Sequence, residues 1–248
     1  MKILTILLSS LFASICIAQD LEKFKIQEII GSFTLPMAAK DFEKMPENQL
    51  FEDENYTVTR TCSGEWGGTI IFLNKVSGIS YSAAASCPVA VNKINSKYYV
   101  TSTLNHIGSF SEFIRIENPE ELEIFKSGPR FISEKSVSKI RGSDESHSKK
   151  GVKNLMNGQF VYYTALTSFV YQNQLYHILC DDEKTFLAKI EDSTIINIGT
   201  ISANYLCSTT PSYYTTSENH KIFPFYGEKT EGYYDIFENQ ITVRRILK

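Results

Sequence analysis

The hydrophobic positions fall in short runs divided by polar breaks, and the runs suit strands better than helices. From Val91 the chain reads VNKINSKYYVTSTL, a loop, then EFIRIENPEELEIF. From Ser168 it reads SFVYQNQLYHILC, the loop DDEKT, then FLAKIEDSTIINIGTI. From Ser212 it reads SYYTTSENHKIFPF, the loop YGEKTEG, then YYDIFENQITVRRIL. Each copy is strand, tight turn, strand, loop, strand, tight turn, strand. Asn95, Asn173 and Asn219 mark the first turns; Asn118, Asp192 and Asn239 mark the third. Asn and Asp tolerate left-handed backbone and hydrogen-bond their own turn, so short hairpins collect them. Phe186, Ala188 and Ile190 share one face of a strand, whereas alternation is blurred in Phe113–Ile116, as it is where both faces are covered.

An earlier stretch fits as a degenerate first copy. Thr57 to Thr61 would be its second strand, CSGEWGG the loop, Thr69 to Asn74 the third strand, KVSG the turn and Ile79 to Ser86 the fourth. Asn173 and Asn219 are 46 residues apart. Four antiparallel strands recurring at that period resemble a blade of a β-propeller. The resemblance is one of architecture, with neither a WD dipeptide nor a kelch Gly-Gly pair. The expected fold is all-β, propeller-like, with repeated four-stranded antiparallel units and about four or five blades. A β-sandwich or two small antiparallel β domains are the alternatives. Between Asp20 and Glu54, FKIQEII and SFTLPM read as strand-like pieces that could add an outer strand to the last copy and close the ring. Lys126 to Gly158, rich in Ser and Lys, reads as a polar, mobile surface insertion; its basic residues suggest either plain solvation or contact with an anionic surface.

Residues 1–18 read as a secretory signal peptide. Met1 and Lys2 precede the apolar run ILTILLSSLFASICIA, and Cys16 and Ala18 place small residues for cleavage before Gln19. The run is short for a membrane anchor, which needs about 20 residues. Lipidation at Cys16 is disfavoured by Ile15, where a small residue is wanted. Residues 19–248 then form a single secreted or periplasmic all-β domain, 230 residues long, with no membrane span. Without Lys2 there are 24 basic and 28 acidic residues, which argues against nucleic acid as a partner. Four cysteines remain, and their positions match between two copies. Cys62 and Cys180 close second strands; Cys87 and Cys207 follow fourth strands. The expected disulfides are Cys62–Cys87 and Cys180–Cys207. No cysteine pair has zinc spacing, and neither a metal nor a cofactor is expected.

The loops between second and third strands share one end of each copy and carry the candidate chemistry. Trp66, among glycines, could stack on a sugar or fill a partner's pocket, or could fold back onto the core. Glu65 and His106 accompany it. Asp181, Asp182 and Glu183 form an acidic turn that could take calcium or simply be solvated. Glu228 and Lys229 occupy the last such loop. Among the other histidines, His177 reads as a core residue, His220 as a turn residue, and His147 lies in the insertion. There is no G-x-S-x-G or H-E-x-x-H motif, and no catalytic residue is assigned. The expected function is a non-enzymatic binding module for a glycan or an extracellular protein. A small polysaccharide hydrolase using Glu65, Asp182 and Glu228 is the alternative. A structural cell-envelope protein is the third reading.

Overall fold

The computed structural model of the chain describes residues 23–31, 48–62, 67–104, 109–126, 145–159, 161–206, 220–226 and 230–247, and the backbone of 43–44 and 214–217. In chain order the strands begin with β1 (Lys25–Ile30), β2 (Glu43–Lys44), β3 (Gln49–Glu52), β4 (Tyr56–Cys62), β5 (Gly68–Asn74) and β6 (Ser80–Ala84). Then come β7 (Pro88–Ile94), β8 (Lys97–Leu104), β9 (Phe110–Ile116), β10 (Glu123–Ile124) and β11 (Val152–Asn154). The rest are β12 (Thr164–Tyr171), β13 (Gln174–Cys180), β14 (Thr185–Glu191), β15 (Thr194–Ser202), β16 (Tyr214–Ser217), β17 (His220–Tyr226), β18 (Thr230–Phe237) and β19 (Gln240–Leu247). The fold is all-β, and the strands form four sheets, each built on an antiparallel meander. They divide between two compact units: a middle unit, residues 45–175, and a terminal unit, residues 1–44 with 176–248.

The tight turns follow the chemistry of their residues. Asn95–Ser96, Gln172–Asn173 and Asp192–Ser193 each place both central residues at positive φ, between 48° and 64°. That is the two-residue turn whose twist matches the flanking strands. Asn219 lies outside the described residues. Asn118 is different: it is not a hairpin turn but the cap of a short 3-10 helix, Pro119–Glu121, its side chain accepting from the Glu120 amide. Pro119 cannot donate within a ladder, so the hairpin expected there is replaced by a helical turn.

In the middle unit one sheet has the order β10-β6-β5-β4-β3 and another β11-β9-β8-β7. Tyr98 on β8 meets Phe51, Tyr56 and Phe72 of the first sheet edge-on, with ring centroids 5.9, 5.9 and 5.1 Å away. Edge-to-face packing suits the ring quadrupole and adds to simple area burial. The other face of β8 is polar. Thr101 donates to Ser168 of β12 at 2.8 Å, and Asn92 of β7 donates to the same hydroxyl at 2.8 Å. Both faces of β8 are therefore covered, which explains why Val100 to Thr103 are all buried.

Two strands differ from expectation. The run ELEIF does not complete the second copy. Its Glu123–Ile124 pairs with β6 of the preceding sheet. The fourth strand is instead β11, from within the stretch read as a polar insertion, and it pairs with β9. Residues 127–144 lie outside the described residues, but Glu145, Ser146 and Met156 are buried. The second part of that stretch is thus sheet and cover, not surface excursion.

The terminal unit contains β13 to β15 and a sheet of order β1-β19-β18-β17-β16-β2. The N-terminal segment does add an outer strand to the last copy: β1 pairs with β19, in parallel. Glu28 of β1 accepts from Arg245 Nε at 2.6 Å and from Ser202 Oγ at 2.8 Å. Tyr176, Ile178, Leu187, Tyr234, Ile241 and Val243 are fully buried. Tyr234 reaches the Leu206 carbonyl at 2.8 Å, satisfying its hydroxyl. His177 is 1 % exposed, and burial alone pushes its imidazole down to about 3, so it is neutral. His220 is not in a turn; it opens β17 and contacts Asp235 at 2.8 Å.

Candidate functional site: the loop end of the middle unit

β4 and β5 are joined by a loop whose base is the Cys62–Gly68 pair, and β8 and β9 by a loop whose base is Leu104–Phe110. β7 runs antiparallel to β8, so the start of β7 lies at the same end as the β8–β9 loop. Cys87 stands immediately before β7, and its carbonyl accepts from Thr103 at 3.1 Å. The disulfide Cys62–Cys87 closes a Cα–Cα distance of 4.4 Å. It therefore ties the base of the β4–β5 loop to the residue before β7, which Thr103 holds one residue short of the β8–β9 loop base. The fourth strand of the first copy ends at Ala84, short of the cysteine, and Cys87 adopts φ 50°. That left-handed residue redirects the chain, which is how a bridge forms between a second strand and the end of a fourth that is not its neighbour.

Several contacts hold this end together. Arg60 of β4 donates to the Pro88 carbonyl at 2.5 Å. A Cβ on Gly68 would lie 2.7 Å from the Ala85 carbonyl and 2.8 Å from the Cys87 amide, so the backbone approach requires glycine. The Glu145 carboxylate accepts from Thr61 Oγ1 at 3.2 Å, and the Ser146 amide donates to Thr69 Oγ1 at 2.7 Å. Lys149 pairs with Glu112 of β9 at 2.7 Å and donates to the Ala84 carbonyl at 3.0 Å. Residues 145–149 thus link the ends of β4, β5, β6 and β9 from which the two loops spring.

The sequence-derived site residues fall into two groups. Glu65, Trp66, His106, Glu228 and Lys229 lie outside the described residues, although the strands that carry their loops are described. Asp181, Asp182 and Glu183 form the β13–β14 connection in the terminal unit. Asp181 Oδ1 accepts from the amides of Glu183 and Lys184 at 2.9 and 2.8 Å, so this carboxylate shapes its own turn. Asp182 and Glu183 are exposed. Cys180 is buried and disulfide-bonded, while Cys207, its expected partner, lies outside the described residues.

Glu145, Lys149 and Glu112 were not among the sequence candidates. Glu145 and Lys149 sit in a run of Ser, Lys and acidic residues with no hydrophobic periodicity, and their partners are 84 and 37 residues away. Nothing in the sequence pointed to a structural duty for this run, because ELEIF already supplied a fourth strand for the second copy. No helix among the described residues is long and apolar enough to cross a membrane. No family model, curated protein or solved structure matches the chain.

Proposed function

We propose that the chain is a secreted or periplasmic binding module, and that it contacts a glycan or an extracellular protein through the loop end of the middle unit. The observation that supports this reading is the Cys62–Cys87 bridge, which ties the base of the Trp66 loop to a residue whose carbonyl is bonded by Thr103, next to the base of the His106 loop. A binding surface profits from loops fixed before the ligand arrives, because less ordering entropy is lost on association. An aromatic and an imidazole on two such loops suit a sugar face or an apolar side chain with a polar edge. A disulfide also fits an oxidising compartment. The described carboxylates at this end, Glu112 and Glu145, are engaged by Lys149 and Thr61.

The test is a glycan array and a surface-protein capture run with the oxidised chain and with Trp66→Ala and His106→Ala. A ligand retained by the parent and lost about tenfold or more by Trp66→Ala supports the reading. No ligand in either format, or equal retention by the variants, removes it.

A further inference from the structure

Asn55-Tyr56-Thr57 is the one Asn-x-Ser/Thr tripeptide in the chain, and its middle residue is not proline. In an exported protein that tripeptide is the acceptor pattern for an N-linked glycan. A pattern this short recurs by chance, so the fold decides whether the asparagine can be reached. Asn55 ends the turn between β3 and β4 and is exposed. Its backbone is held on both sides. The amide donates to Asp53 Oδ1 at 2.9 Å, and the carbonyl accepts from the Lys75 amide at 2.8 Å. The side-chain Nδ2 donates at 3.0 Å to Glu54 Oε1, on a side chain that is itself 72 % exposed. Tyr56 and Val58 are buried, so the half-buried Thr57 between them faces the outer side of the sheet, where its cross-strand partner is Leu73. The Asn and the Thr of the tripeptide thus stand at the surface, and the residue between them anchors the turn in the core.

We propose that Asn55 is the acceptor for an N-linked oligosaccharide. This rests on the export half of the reading above and not on the ligand. In the transfer, Asn55 Nδ2 attacks the anomeric carbon of a sugar carried on a lipid diphosphate. A C–N bond forms, the C–O bond to the diphosphate breaks, the lipid diphosphate leaves with the electron pair, and Nδ2 gives up one proton. Nothing is oxidised or reduced. The product keeps one Nδ2 hydrogen for Glu54, and neither backbone bond of Asn55 is touched, so the turn tolerates the substituent. A second observation points to the same place. Leu73 and Val76 are 41 % and 90 % exposed. Leu73 pairs with Thr57, and Val76 follows the lysine whose amide bonds Asn55. A sugar on Asn55 would shield these apolar side chains from water. Cys62 lies at the far end of β4, roughly 20 Å away by strand rise, so the glycan stands clear of the β4–β5 loop base.

Cell-free synthesis of the whole chain with endoplasmic-reticulum microsomes reads leader removal and sugar addition in one intact-mass spectrum. The shortened chain should gain a single glycan, mapped to the tryptic peptide Met45–Arg60 and released by peptide-N-glycosidase with conversion of Asn55 to aspartate. Asn55→Gln and Thr57→Ala should each abolish the addition, whereas Thr57→Ser keeps the hydroxyl and should retain it. The glycosylated chain should still give the linked Cys62–Cys87 peptides on non-reducing mapping. A chain that loses its leader but carries no sugar, a sugar that survives Asn55→Gln, or a glycosylated chain without the bridge overturns the site. A chain that keeps its leader overturns the export reading, and the site with it.

Discussion

Replacing Asp53 tests whether the middle unit is held at its turn end by one buried carboxylate. Its side chain is 8 % exposed. Oδ2 accepts from Lys93 Nζ and from the Tyr98 hydroxyl, both at 2.7 Å. Oδ1 accepts from the amides of Asn55 at 2.9 Å and Tyr56 at 2.7 Å. In Asp53→Ala, Asn55 regains water and Lys93 keeps Glu54 at 3.1 Å. The Tyr98 hydroxyl and the Tyr56 amide do not recover so easily, because Tyr98 is 2 % and Tyr56 7 % exposed. Each of these two stranded groups costs about 1–3 kcal/mol, so the variant should lose about 2–6 kcal/mol. Tyr98→Phe in the same background should return about 1–2 kcal/mol, since it deletes the orphaned hydroxyl. The assay is urea unfolding followed by far-UV circular dichroism at neutral pH. Acid supplies the second arm. Burial works to raise the Asp53 carboxyl, but the hydrogen bonds from Lys93, Tyr98 and the two amides outweigh it and hold the carboxyl below its usual range. The unfolded state then binds the proton first, so the contribution is present above about pH 4 and fades as pH falls through the lower folded value. Strictly additive losses for Asp53→Ala and Tyr98→Phe, or a loss under about 1 kcal/mol at neutral pH, would refute the reasoning.

His177 predicts a separate slope. Its folded pKa of about 3 lies below the unfolded value near 6.5, so stability is lost as pH falls from about 6.5, by about 2 kcal/mol at pH 5. His177→Phe should flatten that part of the stability–pH curve; an unchanged slope would show that His177 is not its source. Cys62→Ser with Cys87→Ser removes a bridge across a sequence separation of 25, which the chain-entropy model values at about 3.5 kcal/mol. Non-reducing peptide mapping should first recover the linked pair. Urea midpoints of parent and double variant that coincide would mean the bridge adds nothing to folding.

Where the fold was readable, one turn or one period sufficed. Asp192–Ser193 and Gln172–Asn173 are read from residue type alone, because few side chains accept positive φ at two successive positions. The strands around them follow from short β-branched runs whose ends those turns fix. The Cys62–Cys87 pairing was readable for a different reason. Cys62 and Cys87 stand at the places in their copy that Cys180 and Cys207 hold in another, and repetition converts sequence position into spatial position. β10 and β11 escaped because strand character does not name a partner. ELEIF has a good strand pattern, yet Pro119 directs the chain into a helical turn, and Glu123–Ile124 pairs with Ser82 and Tyr81 of the earlier sheet. The vacated edge of β9 was then filled by Val152–Asn154, a segment with too few apolar residues to announce itself.

The same cause hid part of the candidate site. Hairpin alternation places the Trp66 and His106 loops at the ends of their own sheets, and the sequence carries that much. What ties the strands carrying the two loops is the disulfide, within the first copy, and two contacts between copies, Arg60 on the Pro88 carbonyl and Thr103 on the Cys87 carbonyl. Beneath them, Glu145 and Lys149 come from a segment whose composition is that of a solvated loop. A carboxylate is kept near-buried only if a donor meets it, and the donor to Glu145, Thr61, lies in a different copy. Periodicity describes how a segment faces its own sheet. It holds no term for a polar residue that is buried by a distant one, so sites braced by such pairs emerge only from the strand pairing itself, here β10 on β6 and β11 on β9.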